Sequence, residues 1–314
     1  MKQKAILVIG MHRSGTSALS GLLDEMGVFM GKSLFSAQKG VNEKGFFENS
    51  ALVSLNEKLL DATRWSWDDP LAECIDAHGM RSLVNFEYEA NDVLHRDYEN
   101  RECWGMKNPR TTLLLPFWKK IVAAKPNLET SYILMVRSPF EVFGSLNKRD
   151  GFSLEKSLML WMNYTLSGYF NTLDQKCQIV AYDRLLEEPS KVAVEIASNA
   201  GLQVDFDESA LSFVDKKLRN QNIAEVPSSH LVTLATSLYH ALVKEVVPHD
   251  DVIEINNQYQ LFLQSLSEVL KEHLSTVKQD EVYYRQLFLS AYKSYWWKLS
   301  WPMKKIEHIL RGKA

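Results

Sequence analysis

Along the chain, stretches that are apolar at every position alternate with stretches whose apolar residues recur at helical spacing. "AILVIG" at 5–10 is the first continuous run, and "SYILMV" at 131–136 and "CQIVAY" at 177–182 are of the same kind. A run without polar alternation marks a strand buried on both faces, the usual condition of a parallel sheet. Helical patterns at 17–26 and 139–148 lie between the runs. The alternation predicts an α/β fold, a central parallel sheet covered by helices, with any ligand beyond the carboxyl ends of the strands.

After about residue 225 the pattern changes. "AEVPSSH" marks a boundary, and from 229 to 290 glycine is scarce while Tyr259, Phe262, Leu266, Val269, Leu270 and Leu274 fall at helical spacing. The expected organisation is an α/β domain over 1–225 and a helical extension over 226–314. The extension offers a surface for a coiled-coil hairpin or a homodimer.

Composition changes this picture little. The 314 residues are 46% hydrophobic and 24% charged, an ordinary globular balance. A net charge of -3 argues against a nucleic-acid partner, whose phosphates select an overall basic excess. Cys74, Cys103 and Cys177 are odd in number, widely spaced and form no CxxC pair, so neither a zinc site nor a disulfide framework is indicated. The first apolar run ends at once in a loop without a cleavage signature, and no run reaches membrane-spanning length, so a cytoplasmic location is expected.

The chemistry begins in "VIGMHRSGTSAL", 8–19, where four residues separate Gly10 from Gly15 between a strand and a helix. This spacing aims backbone N–H groups and a helix N-terminus at an anion, in the manner of a phosphate-binding loop. Nucleotide triphosphatases follow the second glycine with lysine, and the hydroxyl after it holds magnesium. Here Thr16 occupies the lysine position, and the positive charge sits inside the loop as Arg13. An arginine fork meets two oxygens of a tetrahedral anion without a metal. "VAYD" at 180–183 imitates a magnesium-holding strand end and keeps a magnesium-dependent kinase or NTPase open as an alternative, alongside a non-catalytic nucleotide-binding scaffold.

A second anion site follows the second run. In "LMVRSPFEVFGSLNKR", 134–149, Arg137 stands at the strand tip, Ser138 and Pro139 start a helix, and Ser145 comes two turns later.

Together "GMHRSGTSAL" and "VRSPFEVFGS" resemble the two cofactor-binding segments of sulfotransferases that use 3′-phosphoadenosine 5′-phosphosulfate, including the eight-residue step from Arg137 to Ser145. The resemblance covers about the first 225 residues and implies a P-loop-like three-layer fold. It places Arg13, Ser14, Gly15, Thr16 and Ser17 on the 5′-phosphosulfate and Arg137 and Ser145 on the 3′-phosphate. The family works without a metal and releases adenosine 3′,5′-bisphosphate. Its cytosolic animal members carry lysine where Arg13 stands, and their C-terminal glycine-rich loop is missing here. Arg13 is similar to the bacterial, carbohydrate-modifying branches. In "VDKKLRNQN", 214–222, Lys217 or Arg219 stands in for the missing loop over the nucleotide.

Sulfuryl transfer needs donor and acceptor in line, charge neutralised on oxygen, and a base at the acceptor hydroxyl. "VNEKGFFEN", 41–49, resembles the segment in which bacterial sulfotransferases place a glutamate base, which selects Glu48. His12 is the second candidate for its ordinary pKa and its place in the loop, and Glu43 the third. A helix-terminal acid over "ENSALVSLNEKLL" is the structural reading of Glu48. In "WGMKNPRT", 104–111, Lys107 is assigned to the sulfuryl or bridging oxygen and Arg110 to the loop or acceptor, around an Asn-Pro turn. Trp65, Trp67 and Trp104 are candidates for stacking on a sugar face, with Trp67 in "RWSWDDP" the one chosen for acceptor selectivity. The implied acceptor is a saccharide, on a surface polysaccharide or a lipid-linked glycan.

The tail at 294–312 mixes Trp296, Trp297 and Trp301 with Lys298, Lys304, Lys305 and Arg311. That combination suits a peripheral membrane contact, set against the commoner case of a helix docked on the domain with its tryptophans buried.

Overall fold

The computed structural model describes residues 2–35, 45–72, 75–202, 227–266, 268–297 and 299–300. Its sheet has four parallel strands, β1 (Gln3–Gly10), β2 (Cys103–Lys107), β3 (Leu128–Val136) and β4 (Cys177–Ala181), in the order β2-β1-β3-β4. The helices are α1 (Thr16–Glu25), α2 (Ser50–Ala62), α3 (Ala77–Ser82), α4 (Glu87–Tyr98), α5 (Leu115–Ala123), α6 (Pro139–Asp150), α7 (Leu154–Phe170), α8 (Tyr182–Glu187), α9 (Pro189–Ala200), α10 (His230–Leu242), α11 (His249–Gln264) and α12 (Glu268–Lys293). The α/β class with a parallel sheet is as the alternating pattern predicts.

Three layers follow from the strand alternation. Ile6, Val8, Ile133, Met135 and Val180 face one way, into a core shared with α1, α8 and α9. Ile9 and Leu134 face the other way, where Gly168 of α7 comes so near that a Cβ there would lie 2.7 Å from the Leu134 side chain. Residues 5–9 are at most 1% exposed. Burying each such aliphatic side chain is worth ~1.5–3 kcal/mol, which is why β1 tolerates no polar position between Ala5 and Gly10.

One strand escapes the apolar pattern. β2 contains Gly105 and ends on Lys107, and the sequence suggests a turn there. A Cβ at Gly105 would lie 2.4 Å from the Met30 sulfur, so glycine makes room for the Met30 side chain of the segment that runs beside β2, bridged in parallel through Phe29 and Trp104. Lys107 is therefore a strand-end residue only 3% exposed, not a surface charge on a turn.

The described chain forms two compact units, Met1–Tyr259 and Gln260–Ala314. The boundary expected at 225/226 lies outside the described residues. α10 belongs to the first unit and lies against α6 and α7. Tyr259 of α11 donates its hydroxyl to Asn163 Oδ1 at 2.6 Å and also reaches the Met159 carbonyl, which pins α11 to α7. In the second unit α12 is a 26-residue helix. Among the described residues no helix is long and apolar enough to cross a membrane.

Candidate functional site

β1 and β3 are paired through Gly10 and Met135, so the loops that follow them leave the sheet side by side. Gly10 has φ +138, and a Cβ on it would lie 2.5 Å from the Met135 carbonyl oxygen. The Gly10 N–H donates to Thr112 Oγ1 at 2.9 Å, anchoring the loop to the turn after β2. Gly15 caps α1 at φ 96 with no side-chain hydrogen bond to the helix, and the first turn of α1 holds no acid. Its leading amides thus lack a side-chain acceptor, the condition under which a helix N-terminus takes an anion.

The loop hydroxyls divide. Ser14 is 1% exposed and donates to the Met11 carbonyl at 2.6 Å, so it closes the loop on itself. Thr16 is also buried. Ser17 is half-buried and accepts from Lys107 Nζ at 3.1 Å. The same ammonium donates to the Phe46 carbonyl at 2.9 Å and to Glu48 Oε1 at 2.6 Å, while Asn108 Nδ2 reaches Glu48 Oε2 at 3.3 Å. Burial lowers the Lys107 pKa, and contact with Glu48 opposes that shift. Glu48 precedes Asn49, whose side chain caps α2 through the Ala51 and Leu52 amides and binds Asp97. The helix start holds Glu48 against the strand end.

The Arg13 side chain reaches α6. Its Nε donates to Ser145 Oγ at 2.7 Å, and its carbonyl accepts from Arg137 Nη1 at 3.2 Å. Arg137 also holds Glu141 at 2.7 Å, one turn into α6, and lies over the Tyr182 ring at 4.2 Å. Burial and the neighbouring Arg149 and Arg137 lower the Arg13 pKa. Ser145 and Arg149 share a face of α6 at i,i+4 spacing. The two anion segments thus adjoin through Arg13, whose side chain meets Ser145 and whose carbonyl meets Arg137, while Arg149 pairs with Asp150.

On the side of the loop toward α2, His12 packs on Trp67 at 4.6 Å, and the Arg110 and Arg149 guanidinium carbons lie 6.0 and 5.3 Å from the Trp67 ring. Arg110 pairs with Glu57 at 2.6 Å, and its Nε is buried without a hydrogen bond. The His12 Nε2 is likewise buried and unpaired. Burial first, then Arg110, Arg149, Lys107 and Arg13, hold His12 well below the ordinary imidazole pKa, so it is neutral at pH 7. Tyr164 donates to the Trp67 carbonyl and Asn163 to the Pro70 carbonyl, which fastens the "RWSWDDP" loop to α7.

Of the residues selected from sequence, the structure joins Ser17, Lys107 and Glu48 in one group, Arg13, Arg137 and Ser145 in a second, and His12, Arg110 and Trp67 in a third. Trp104 is 2% exposed against Tyr98 and faces no acceptor. Glu43, Lys217 and Arg219 lie outside the described residues. Three further residues belong to the site. Tyr182, the residue that follows β4, walls the loop: a Cβ on Gly15 would lie 2.3 Å from its ring. Glu141 and Arg149 each sit four residues from a selected residue, Arg137 and Ser145, the one signal by which sequence flags them.

No family model matches this chain, and no curated protein does. Among solved structures it is similar to the sulfotransferase domain from the Synechococcus PCC 7002 olefin synthase, at 16% identity and TM-score 0.41 over 83% of this chain and 96% of that one. The sulfotransferase domain from the curacin biosynthetic pathway gives 14% identity and TM-score 0.39 over 82% and 98% of the two chains. Sulfotransferase STF1 from Mycobacterium tuberculosis H37Rv gives 15% and 0.35 over 68% and 71%. The case for a function rests on this chain's own residues.

Proposed function

We propose that this chain is a sulfotransferase that moves a sulfuryl group from 3′-phosphoadenosine 5′-phosphosulfate to a saccharide hydroxyl on a surface polysaccharide or lipid-linked glycan. The observation that carries the reading is the meeting of the two anion segments: Arg13 touches Ser145 through its side chain and Arg137 through its carbonyl. A carrier with phosphates at both ends of one nucleoside is the ligand class that needs two such pockets side by side. The residues fit it: an uncapped helix start, glycines that bring backbone close, and guanidinium groups at the second pocket.

In this reading the α1 amides, Ser17 and Lys107 hold the 5′-phosphosulfate, and Arg137 and Ser145 hold the 3′-phosphate, with Arg13 between them. Glu48 takes the proton of the acceptor hydroxyl as the new S–O bond forms. The bridging S–O bond breaks, and its electron pair leaves on adenosine 3′,5′-bisphosphate. Lys107 balances charge on the departing oxygen. Trp67 and Arg110 face the acceptor side of the loop.

Thermal stabilisation tests the donor. Adenosine 3′,5′-bisphosphate without magnesium should raise the melting temperature more than 5′-AMP does. Stabilisation only by ATP with magnesium would replace the sulfotransferase by a kinase. Mass-spectrometric transfer from the donor to a panel of glycans tests the acceptor class.

A further inference from the structure

Two polar atoms beside the phosphate loop are buried with nothing to bond, His12 Nε2 and Arg110 Nε. Folded chains pair nearly all such atoms, because an unpaired one forfeits its bond to water and gains nothing in exchange. The two are neighbours. Both side chains lie against the Trp67 ring, His12 at 4.6 Å and Arg110 at 6.0 Å, and after burial itself Arg110 is the strongest influence holding the His12 pKa down. They also adjoin the base: Asn108 reaches Glu48 with its Nδ2 at 3.3 Å and accepts from the Arg110 amide on its Oδ1 at 2.9 Å.

The chemistry of the pair selects a ligand group. One terminal nitrogen of Arg110 is committed to Glu57 at 2.6 Å, while its Nε–H remains a donor without an acceptor. His12 is neutral at pH 7, so one of its tautomers offers Nε2 as an acceptor. A hydroxyl suits both, since its oxygen accepts from Arg110 and its proton goes to His12. A charged group suits them less, because Arg110, Arg149 and Lys107 already pair with Glu57, Asp150 and Glu48. The half-buried Trp67 ring stands in the way. Its backbone is fastened: Tyr164 donates to the Trp67 carbonyl at 2.8 Å, and Lys156 holds Asp68 at 2.8 Å. The ring itself meets Phe152 at 5.9 Å and Arg149 at 5.3 Å, contacts that a change of rotamer exchanges for those of a ligand.

We infer that Trp67 turns aside to uncover a hydroxyl-binding subsite, made by His12 Nε2 and Arg110 Nε, that anchors a second oxygen of the acceptor beside the one that receives the sulfuryl group. The inference rests on the sulfotransferase reading and narrows its acceptor to compounds with two neighbouring hydroxyls, as on a sugar ring. The test compares trans-1,2-cyclohexanediol with cyclohexanol, acceptors that differ by one oxygen, in the parent, His12→Phe and Arg110→Lys. Phenylalanine keeps a ring against Trp67 and Tyr164 and removes Nε2, and lysine keeps a cation for Glu57 and removes Nε. The parent should show a KM for the diol at least ~10-fold below that for cyclohexanol, and each variant should lose most of that preference through KM. Melting temperatures should stay within ~4 °C of the parent, because neither substitution removes a hydrogen bond made by these two atoms. Equal use of the two acceptors by the parent, a preference that survives both variants, or a loss confined to kcat overturns the inference. So does a larger fall in melting temperature in both variants, which would give the two atoms partners in the free protein. Transfer to neither compound nor to any glycan is a separate result, and it ends the sulfotransferase reading itself.

Discussion

Arg13 Nε lies 2.7 Å from Ser145 Oγ, tying the loop after β1 to the helix after β3 across 132 residues of sequence. The contact is possible because β1 and β3 are parallel neighbours whose carboxyl ends coincide. It brings the Arg13 and Arg137 guanidinium groups near each other, and burial first, then Arg149 and Arg137, lower the Arg13 pKa, with Asp150 opposing the shift. Glu141 pairs with Arg137 and Asp150 with Arg149, which leaves the Arg13 guanidinium, held by the Ser145 hydroxyl, as the group an anion would relieve.

The backbone of Arg13 sharpens this into a test. Its φ of 68° is left-handed, a conformation that costs a non-glycine residue ~1–2 kcal/mol. Arg13→Gly removes that strain and one buried charge, but loses one hydrogen bond and adds unfolded-state entropy, each worth ~1 kcal/mol. Urea unfolding of the variant should fall within ~1 kcal/mol of the parent, while affinity for adenosine 3′,5′-bisphosphate drops at least ~10-fold. A large stability loss with affinity kept would make Arg13 structural.

Arg137 and Glu141 form a buried pair, 7% and 8% exposed. Breaking such a pair from one side costs ~3–5 kcal/mol, whereas replacing both partners is far milder. Arg137→Ala should therefore lower the urea midpoint sharply, and Arg137→Ala with Glu141→Ala should recover most of it. Neither should regain preference for adenosine 3′,5′-bisphosphate over 5′-AMP in titration. A double variant that keeps the preference would remove Arg137 from the 3′-phosphate.

How much of this the sequence disclosed depends on the range of the interaction. β1, β3 and β4 are legible because burial on both faces writes itself as unbroken apolar runs. β2 is not, since its five residues include a glycine demanded by Met30 and a lysine demanded by Glu48. The strand-loop-helix punctuation of both anion segments is local and therefore readable. The Lys107–Glu48 contact spans 59 residues, and the role of Tyr182 depends on its nearness to Gly15, so neither leaves a local mark. Trp104 and Trp67 look alike in sequence, yet one is buried under Tyr98 and the other carries the His12 ring, because residue type does not say which face it occupies.

Gly10 admits no side chain. Its φ of +138 strains any L-residue, and a Cβ would strike the Met135 carbonyl at 2.5 Å, a backbone atom locked in the sheet. Strain and overpacking together place the cost of Gly10→Ala at ~2–5 kcal/mol. Chemical unfolding should show that loss. Gly27→Ala is the control, because it has positive φ but nothing within 4 Å of the added atom, and should lose only the conformational part.

His12 gives a pH signature. Its folded pKa lies well below the unfolded value of about 6.5 because burial and four cations disfavour its protonation. Below pH 6.5 the unfolded chain therefore binds the proton more readily than the folded one, and stability falls as pH falls toward the folded pKa. The slope reaches ~1.4 kcal/mol per pH unit, and the contribution is fully present above pH 6.5. Unfolding midpoints at pH 7 and pH 5 should diverge more for the parent than for His12→Gln. Equal divergence would mean that His12 is not the group responsible.

Glu48 and Lys107 stand 2.6 Å apart at 13% and 3% side-chain exposure, so one acid has two roles to be separated. As the base, Glu48 is needed only when the acceptor proton moves, and Glu48→Gln should cut kcat ~10²–10⁴-fold. Binding of adenosine 3′,5′-bisphosphate should then be unchanged or tighter, because Lys107 no longer shares its charge with a carboxylate. As a mere partner for Lys107, Glu48 would show the opposite split: weakened nucleotide binding with turnover preserved. Lys107→Met should lose both nucleotide affinity and turnover, since it removes the cation that Ser17 and the donor oxygens would share. The double variant decides the coupling. Losses in kcat that multiply point to separate tasks, and a double no worse than the poorer single shows that the two side chains act as one unit.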